Sequence, residues 1–280
     1  MTLHEWLRKG EEVLLASPHP GNAHRDAELL LLHVVHQERA GLLARWKECL
    51  RTAEGELYKA LIERRLGGEP IQYILGETEF YGLPFWVSSD VLIPRPETEH
   101  LVEKALQAAA SYSSPRMVDV GTGSGAIAVT LAQQLPEANI TAIDLSAPAL
   151  AVAAENATRN GVQIRFLRGD LLAPVARECF DIVVSNPPYV PAIDRDSLAV
   201  EVRDFEPALA LFADRDGLGI YRRLIPAAFA VLNSDGFLIL EIGFEQSPAV
   251  AYLLASSGFQ QIEFLPDLQG IPRVACARKG

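Results

Sequence analysis

No apolar run in the sequence approaches the roughly 20 residues that a membrane-spanning helix needs. The N-terminal stretch "MTLHEWLRKGEEVLL" carries charges throughout and has no signal-peptide core. Both absences imply a soluble cytoplasmic protein. Cysteine is scarce: Cys49, Cys179 and Cys276 are odd in number and far apart, so their spacing outlines neither a disulfide framework nor a metal site. His33 and His36 can share a helix face, yet no Cys or Asp stands at ligand spacing, and ordinary surface or core histidines are expected in place of a metal site. Positive charge is also short. Lys and Arg total 25 against 36 Asp and Glu, a formal net charge of −11. That disfavours broad binding to a phosphate backbone, which needs basic patches, although a local basic face stays open. There is no internal repeat and no low-complexity tract.

The 280 residues exceed one ordinary domain, and a hydrophobic fraction of 49% supplies a sizeable core. Residues 1 to about 75 read as helical throughout. Leu29, Leu30, Leu32, His33 and Val34 cluster, Leu57, Leu61 and Ile62 recur at helical spacing, and Asn22 is placed to cap the helix after the loop in "SPHPGNAHRD". Gly67, Gly68 and Pro70 end this pattern. "TEFYGLPFWVS" then predicts a hairpin about Gly82-Leu83-Pro84. The expected organisation is a helical domain over 1–75, a linker hairpin over 76–92 and a catalytic domain over 93–280. A helix is predicted to start near Pro96, with Glu97 and Glu99 in its first turn.

From Met117 onward strands and helices alternate, which predicts an α/β fold with a doubly wound, mostly parallel sheet. The strands are "MVDVG", "ITAID", "IRFLRGD", "DIVVS", "FLILEIG", "QQIEFLPD" and "RVACARK", seven in all. The last two lack an intervening helix and should pair antiparallel. "GIYRRLIPAAFAVLNSDG" reads as a helix ending near Gly236.

"VDVGTGSGAIA" sets Gly121, Thr122, Gly123, Ser124 and Gly125 between an apolar strand carrying Asp119 and the start of a helix. Glycines allow a tight turn and close backbone approach, and a helix N-terminus offers free N–H groups to a carboxylate. The spacing is G-x-G-x-G, not that of a dinucleotide site. Asp144, at the tip of the second strand and about 20 residues past the loop, is suited to a ribose diol. The blander alternative is a helix cap. Asp170 and Leu171, ending the third strand, can face an adenine amino group and ring, or simply form a turn. Together these residues describe an adenosine-containing ligand at the carboxyl ends of the strands. The loop spacing and the polar segment ending the fourth strand favour S-adenosylmethionine over a dinucleotide.

That segment is Asn186-Pro187-Pro188-Tyr189. Two prolines fix two φ angles and supply no N–H donors. A rigid array of carbonyl oxygens beside an aromatic ring suits a planar group with N–H bonds to donate.

In order, "VLIPRPETE", "VDVGTGSGAIA", "IDLS", "FDIVVSNPPYV", "FEPALAL" and "LEIG" resemble the peptide-chain release factor glutamine N5-methyltransferases across the whole chain. The Asn-Pro-Pro-Tyr motif by itself is shared with N6-adenine methyltransferases, whereas "IPRPETE" with "FEPALAL" is more specific. The resemblance implies a class I methyltransferase fold with an N-terminal helical bundle that recognises the release factor. It also implies S-adenosylmethionine as cofactor, S-adenosylhomocysteine as product, and a glutamine in the Gly-Gly-Gln loop of class I release factors as substrate. Nothing in the sequence suggests an obligate dimer, so a monomer is expected, and the charge balance and the lack of a long apolar run predict no nucleic-acid or membrane partner. On this resemblance Asn186 and Pro187 accept the two N–H bonds of the substrate nitrogen, Pro188 keeps them rigid, and Tyr189 stacks on the planar group. Asn186 also borders the cofactor. Thr98 and Glu99 line the cleft, and Glu206 lies near its mouth. The position of Leu171 is often aromatic in relatives, so adenine stacking is expected to be weaker here.

Overall fold

Asn22 caps its helix as the sequence predicts: its side chain accepts from the backbone N–H of Arg25. The computed structural model describes residues 1–18 and 21–280, so His19 and Pro20 of the preceding loop lie outside the described residues. The helices of the N-terminal part are α1 (Leu3–Leu15), α2 (Ala23–Val35), α3 (Arg39–Ala44), α4 (Thr52–Leu66) and α5 (Ile71–Leu75). Thr2 and Glu5 form a reciprocal capping box at the start of α1. Gly10 lets α1 approach α4, since a Cβ there would lie 2.2 Å from the Tyr58 hydroxyl. Tyr58 is buried and donates to the Ala27 carbonyl at 3.1 Å, which satisfies its polar tip inside a core of Leu7, Leu30, Leu31, Leu42 and Ile62. His33 and His36 are exposed, and no metal-ligand cluster occurs among the described residues.

The chain divides into two compact units: Met1–Gly76 with Ala199–Phe205, and Glu77–Leu198 with Glu206–Gly280. The short helix α9 (Val200–Phe205) thus belongs with the N-terminal helices, although 123 residues separate Gly76 from Val200 between the two. Arg65 holds it there. The residue is 6% exposed, and its guanidinium donates to Asp26 at 2.6 Å, to the Glu69 carbonyl at 3.1 Å and to Glu201. Removing one partner of such a buried pair costs about 3–5 kcal/mol, because the remaining charge is stranded away from water.

In the second unit β1 (Glu77–Phe80) and β2 (Leu83–Trp86) form the predicted hairpin. Its two turn residues, Tyr81 and Gly82, both have positive φ, 53° and 72°, the type I′ geometry that matches strand twist. Helix α6 (Thr98–Ala109) follows. The seven-stranded sheet contains β3 (Arg116–Val120), β4 (Asn139–Asp144), β5 (Arg165–Arg168), β6 (Phe180–Ser185), β7 (Leu232–Glu241), β8 (Phe259–Pro266) and β9 (Pro272–Lys279). The connecting helices are α7 (Ala126–Gln134), α8 (Ala147–Arg159), α10 (Ala208–Leu211), α11 (Gly219–Val231) and α12 (Ser247–Ser256). Strand order is β5-β4-β3-β6-β7-β9-β8, parallel except for β9, which runs antiparallel to both neighbours.

Successive residues of the central strands feed opposite faces, as a period of two requires. Met117, Ile182 and Val184 join Leu101, Val102 and Leu131 on one side, while Val118, Val120 and Val183 join Tyr221, Leu224 and Ile225 on the other. Covering both faces explains why these strands read as nearly continuous apolar runs. Truncating one such side chain, Leu101→Ala for example, would cost about 2–5 kcal/mol. The helix expected to end near Gly236 stops at Val231 instead. Leu232 pairs with Phe180 in the sheet, the register then jumps to Phe237 opposite Ile182, and Asp235 takes a left-handed φ of 65° in between. Sheet pairing outweighs the weak helix preference of Asn233, Ser234 and Gly236. No helix among the described residues is long and apolar enough to cross a membrane.

Candidate active site

Chain order reverses between β3 and β6. The chain steps outward from β3 to β4 and β5, then returns to β6 on the other side. A crevice opens at the carboxyl ends of the strands at such a switch point. Here it is a cavity of about 310 Å³, walled by the loop after β3, the ends of β4 and β5, and Asn186-Pro187-Pro188 after β6. The Ser185 hydroxyl donates to the Val120 carbonyl at 2.6 Å and ties the two strand ends together.

Gly121, Gly123 and Gly125 have φ of 75°, 55° and 82°, conformations a side chain disfavours. Their surroundings differ. A Cβ on Gly121 or Gly123 would meet nothing within 4 Å, whereas one on Gly125 would press on Ala153 at 3.1 Å. The first two glycines therefore leave room above the loop, and the third lets the loop sit against α8. Thr122 and Ser124 also line the cavity. Asp144 accepts from the Gly123 N–H at 2.9 Å and from the Ser146 N–H at 2.8 Å. A carboxylate has about four acceptor sites, so this brace leaves others for a ligand hydroxyl. Ser146, not Asp144, caps α8 through the Ala149 N–H.

At the opposite wall the Asn186 side-chain NH2 donates to the Thr98 hydroxyl oxygen at 3.2 Å. Its amide oxygen accepts no protein hydrogen bond among the described residues, and Asn186 lines the cavity. Thr98 donates in turn to Glu241 at 2.6 Å.

A family model described as "Methyltransferase small domain" matches residues 97–204, and one described as "PrmC N-terminal domain" matches residues 5–76. The "Release factor glutamine methyltransferase" of Neisseria gonorrhoeae is 44% identical over 99% of this chain and 98% of its own length. The protein of that name from Bacillus subtilis is 41% identical over 99% of this chain and 97% of its own. The chain belongs to the release factor glutamine methyltransferase family. Its fold extends further. The hMettl16 catalytic domain superposes with a TM-score of 0.58 at 15% identity, covering 81% of this chain and 82% of that one. A methyltransferase from Pyrococcus furiosus does so at 0.53 and 16%, covering 72% and 91%.

Within this family member, Gly121, Thr122, Gly123, Ser124, Asp144, Asp170, Leu171, Asn186, Pro187 and Pro188 surround one cavity, whereas Gly125 is packed against Ala153 behind it. Leu171 does so with a left-handed φ of 50°, a strained setting for a branched side chain. The Asp170 carboxylate forms an ion pair with Arg223, so an adenine amino group would share it. Tyr189 does not line the cavity. Its hydroxyl donates to Glu241 at 3.2 Å, and burial and the Glu241 carboxylate push its pKa well above the ordinary phenol value. Glu99 is also elsewhere: it accepts from the Tyr81 N–H at 2.8 Å and secures the hairpin turn. Glu206 is buried and bound to Arg95 at 2.5 Å, and it is Arg95 that reaches the cavity wall.

Two residues not singled out by motif reading shape the site. Asn156, fully buried, bonds the Trp86 backbone at 2.6 Å and 3.0 Å and the Ser124 carbonyl at 2.9 Å, fastening the glycine loop to the hairpin. Glu241 ends β7, and its only sequence signal is a carboxylate closing an apolar strand in "LEIG".

Proposed function

We propose that this protein transfers the methyl group of S-adenosylmethionine to the side-chain amide nitrogen (N5) of the glutamine in the Gly-Gly-Gln loop of class I peptide-chain release factors. The observation that carries the reading is Asn186, which lines the cavity with its NH2 held by Thr98 and its amide oxygen accepting no protein hydrogen bond among the described residues.

Gly121, Thr122, Gly123, Ser124 and Gly125 would receive the cofactor, and the open space above Gly121 and Gly123 fits that role. Asp144 has acceptor capacity for a ribose diol, and Asp170 and Leu171 border the place for an adenine ring. When bound, the cofactor supplies a methyl group on a positively charged sulfonium. The chain does the rest by position. An amide nitrogen is a poor nucleophile because its lone pair is delocalised. Asn186 Oδ1 and the Pro187 carbonyl accept its two N–H bonds, orient it and stabilise the positive charge it gains. Pro188 limits relaxation of these acceptors. Tyr189 serves from behind, tethered to Glu241, and not as a stacking lid. No side-chain base is required, because the nitrogen releases its proton after it has been methylated.

On this reading residues 1–75 recognise the release factor, 76–92 link, and 93–280 carry the cofactor and the chemistry, in a cytoplasmic monomer that engages neither nucleic acid nor membrane. The test is transfer of tritiated methyl to purified release factor, to a factor with that glutamine replaced by alanine, and to duplex DNA. Label on the first alone is expected. Label on DNA, or equal label on both factors, would overturn the assignment.

A further inference from the structure

Behind Asn186-Pro187-Pro188-Tyr189 runs a chain of buried polar groups that motif chemistry leaves unexplained. Thr98, the first residue of α6, and Glu241, the last of β7, are 4% and 2% exposed. One carboxylate oxygen of Glu241 accepts from Thr98 at 2.6 Å, and the other accepts from Tyr189 at 3.2 Å. The Tyr221 hydroxyl fixes the Glu241 backbone by donating to its carbonyl at 2.8 Å. Both ends of the four-residue turn are therefore moored to one acid, directly at Tyr189 and through Thr98 at Asn186.

The order of donors decides what the cavity meets. A hydroxyl has a single proton. Thr98 gives its proton to Glu241, so toward Asn186 it can only accept. The Asn186 NH2 must then point at Thr98, which leaves its oxygen outside the relay and available to the cavity that Asn186 lines. We propose that Glu241 and Thr98 are positioning residues whose one-way hydrogen-bond relay sets the Asn186 amide so that an acceptor, not a donor, faces the substrate nitrogen. The inference rests on the role given to Asn186 under Proposed function. Burial pushes the Glu241 carboxyl up from its ordinary pKa, while the hydroxyls of Thr98 and Tyr189 pull it back toward the ionised, acceptor-only form the relay needs. With a donor at position 241 the relay reverses. Thr98 accepts from that donor and turns its proton to Asn186, the amide flips, and an NH2 confronts the N–H bonds it should hold.

The experiment compares Glu241→Gln, Thr98→Val and Thr98→Ser in the full chain. Glu241→Gln and Thr98→Val are expected to lower kcat roughly 10-fold, the scale of one ordinary hydrogen bond, with S-adenosylmethionine affinity by calorimetry unchanged. Thr98→Ser, which keeps the hydroxyl, should retain parental kcat. A second readout needs no turnover. The side-chain 15N–1H2 signals of Asn186, assigned by their loss in Asn186→Ala, should shift in Thr98→Val and Glu241→Gln and stay in place in Thr98→Ser. Unmoved Asn186 signals in Thr98→Val would overturn the relay. So would parental kcat in both Thr98→Val and Glu241→Gln while Asn186→Ala is impaired. If Asn186→Ala itself keeps parental kcat, the reading under Proposed function falls, and the spectra still decide whether the relay orients the amide. Should Glu241→Gln fail to fold, Thr98→Val carries both readouts, since it trades a hydroxyl for a methyl of similar shape.

Discussion

Thr122 donates its hydroxyl to one oxygen of Asp119 at 2.6 Å, and the other oxygen of that buried carboxylate has no hydrogen-bond partner among the described residues. A charge so placed is costly. Burial is the largest cause raising the Asp119 pKa from 3.8 to about 7, opposed by the Thr122 hydroxyl and reinforced by the Asp144 carboxylate.

This has a pH signature. Between pH of about 4 and 7 folded Asp119 keeps a proton that the unfolded chain has released, so its contribution to stability falls as pH rises through that window. Asp119→Asn keeps the acceptor for Thr122 and abolishes the titration. In cofactor-free protein the variant should gain stability over the parent between pH 5 and pH 8 in urea melts. A gap that moves in the parent's favour as pH rises would contradict this assignment.

The glycine loop should separate stability from ligand binding. Gly125→Ala combines a left-handed φ of 82° with a 3.1 Å approach to Ala153. A loss of about 2–4 kcal/mol is expected from strain plus overpacking. Gly121→Ala carries similar strain, about 1–2 kcal/mol, but its methyl enters open space in the cavity. It should therefore melt closer to the parent and bind S-adenosylmethionine more weakly. Thermal melts and calorimetry check the pair, and reversed ranks in either measurement would refute the division of roles.

Asn186→Ala should lower methyl transfer by roughly 10²-fold or more, the scale of one preorganised polar contact at a reacting centre. Affinity for S-adenosylmethionine should change far less, since many cavity residues besides Asn186 remain. Single-turnover rates set against calorimetric affinities give the comparison. Near-parental rates would remove Asn186 from the mechanism.

Much was legible before any coordinates because it is local. Asn22 as a cap, a hairpin about Gly82 and the alternation of β3 to β7 with helices follow from side-chain shape, glycine freedom and hydrophobic period. The turn itself falls on Tyr81-Gly82 and not on Gly82-Leu83-Pro84, because Leu83 and Pro84 pair with Phe80 and Glu79 inside the hairpin. The end of α11 was not legible, because the fate of Leu232 depends on Phe180, a residue of another strand.

The amino-acid order by itself determined an apolar strand leading into three glycines, an acid at the next strand tip and a proline-stiffened turn after Ser185. These need only backbone torsions and burial periodicity, properties each short segment carries alone. The tertiary structure alone decided which way the side chains face. It joined Thr98 to Glu241 across 143 residues, turned Tyr189 away from the cavity and paired Asp170 with Arg223. The physical reason is that a hydrogen bond has direction and reach of about 3 Å, so its partner is set by where distant strand ends meet, and no local pattern records that.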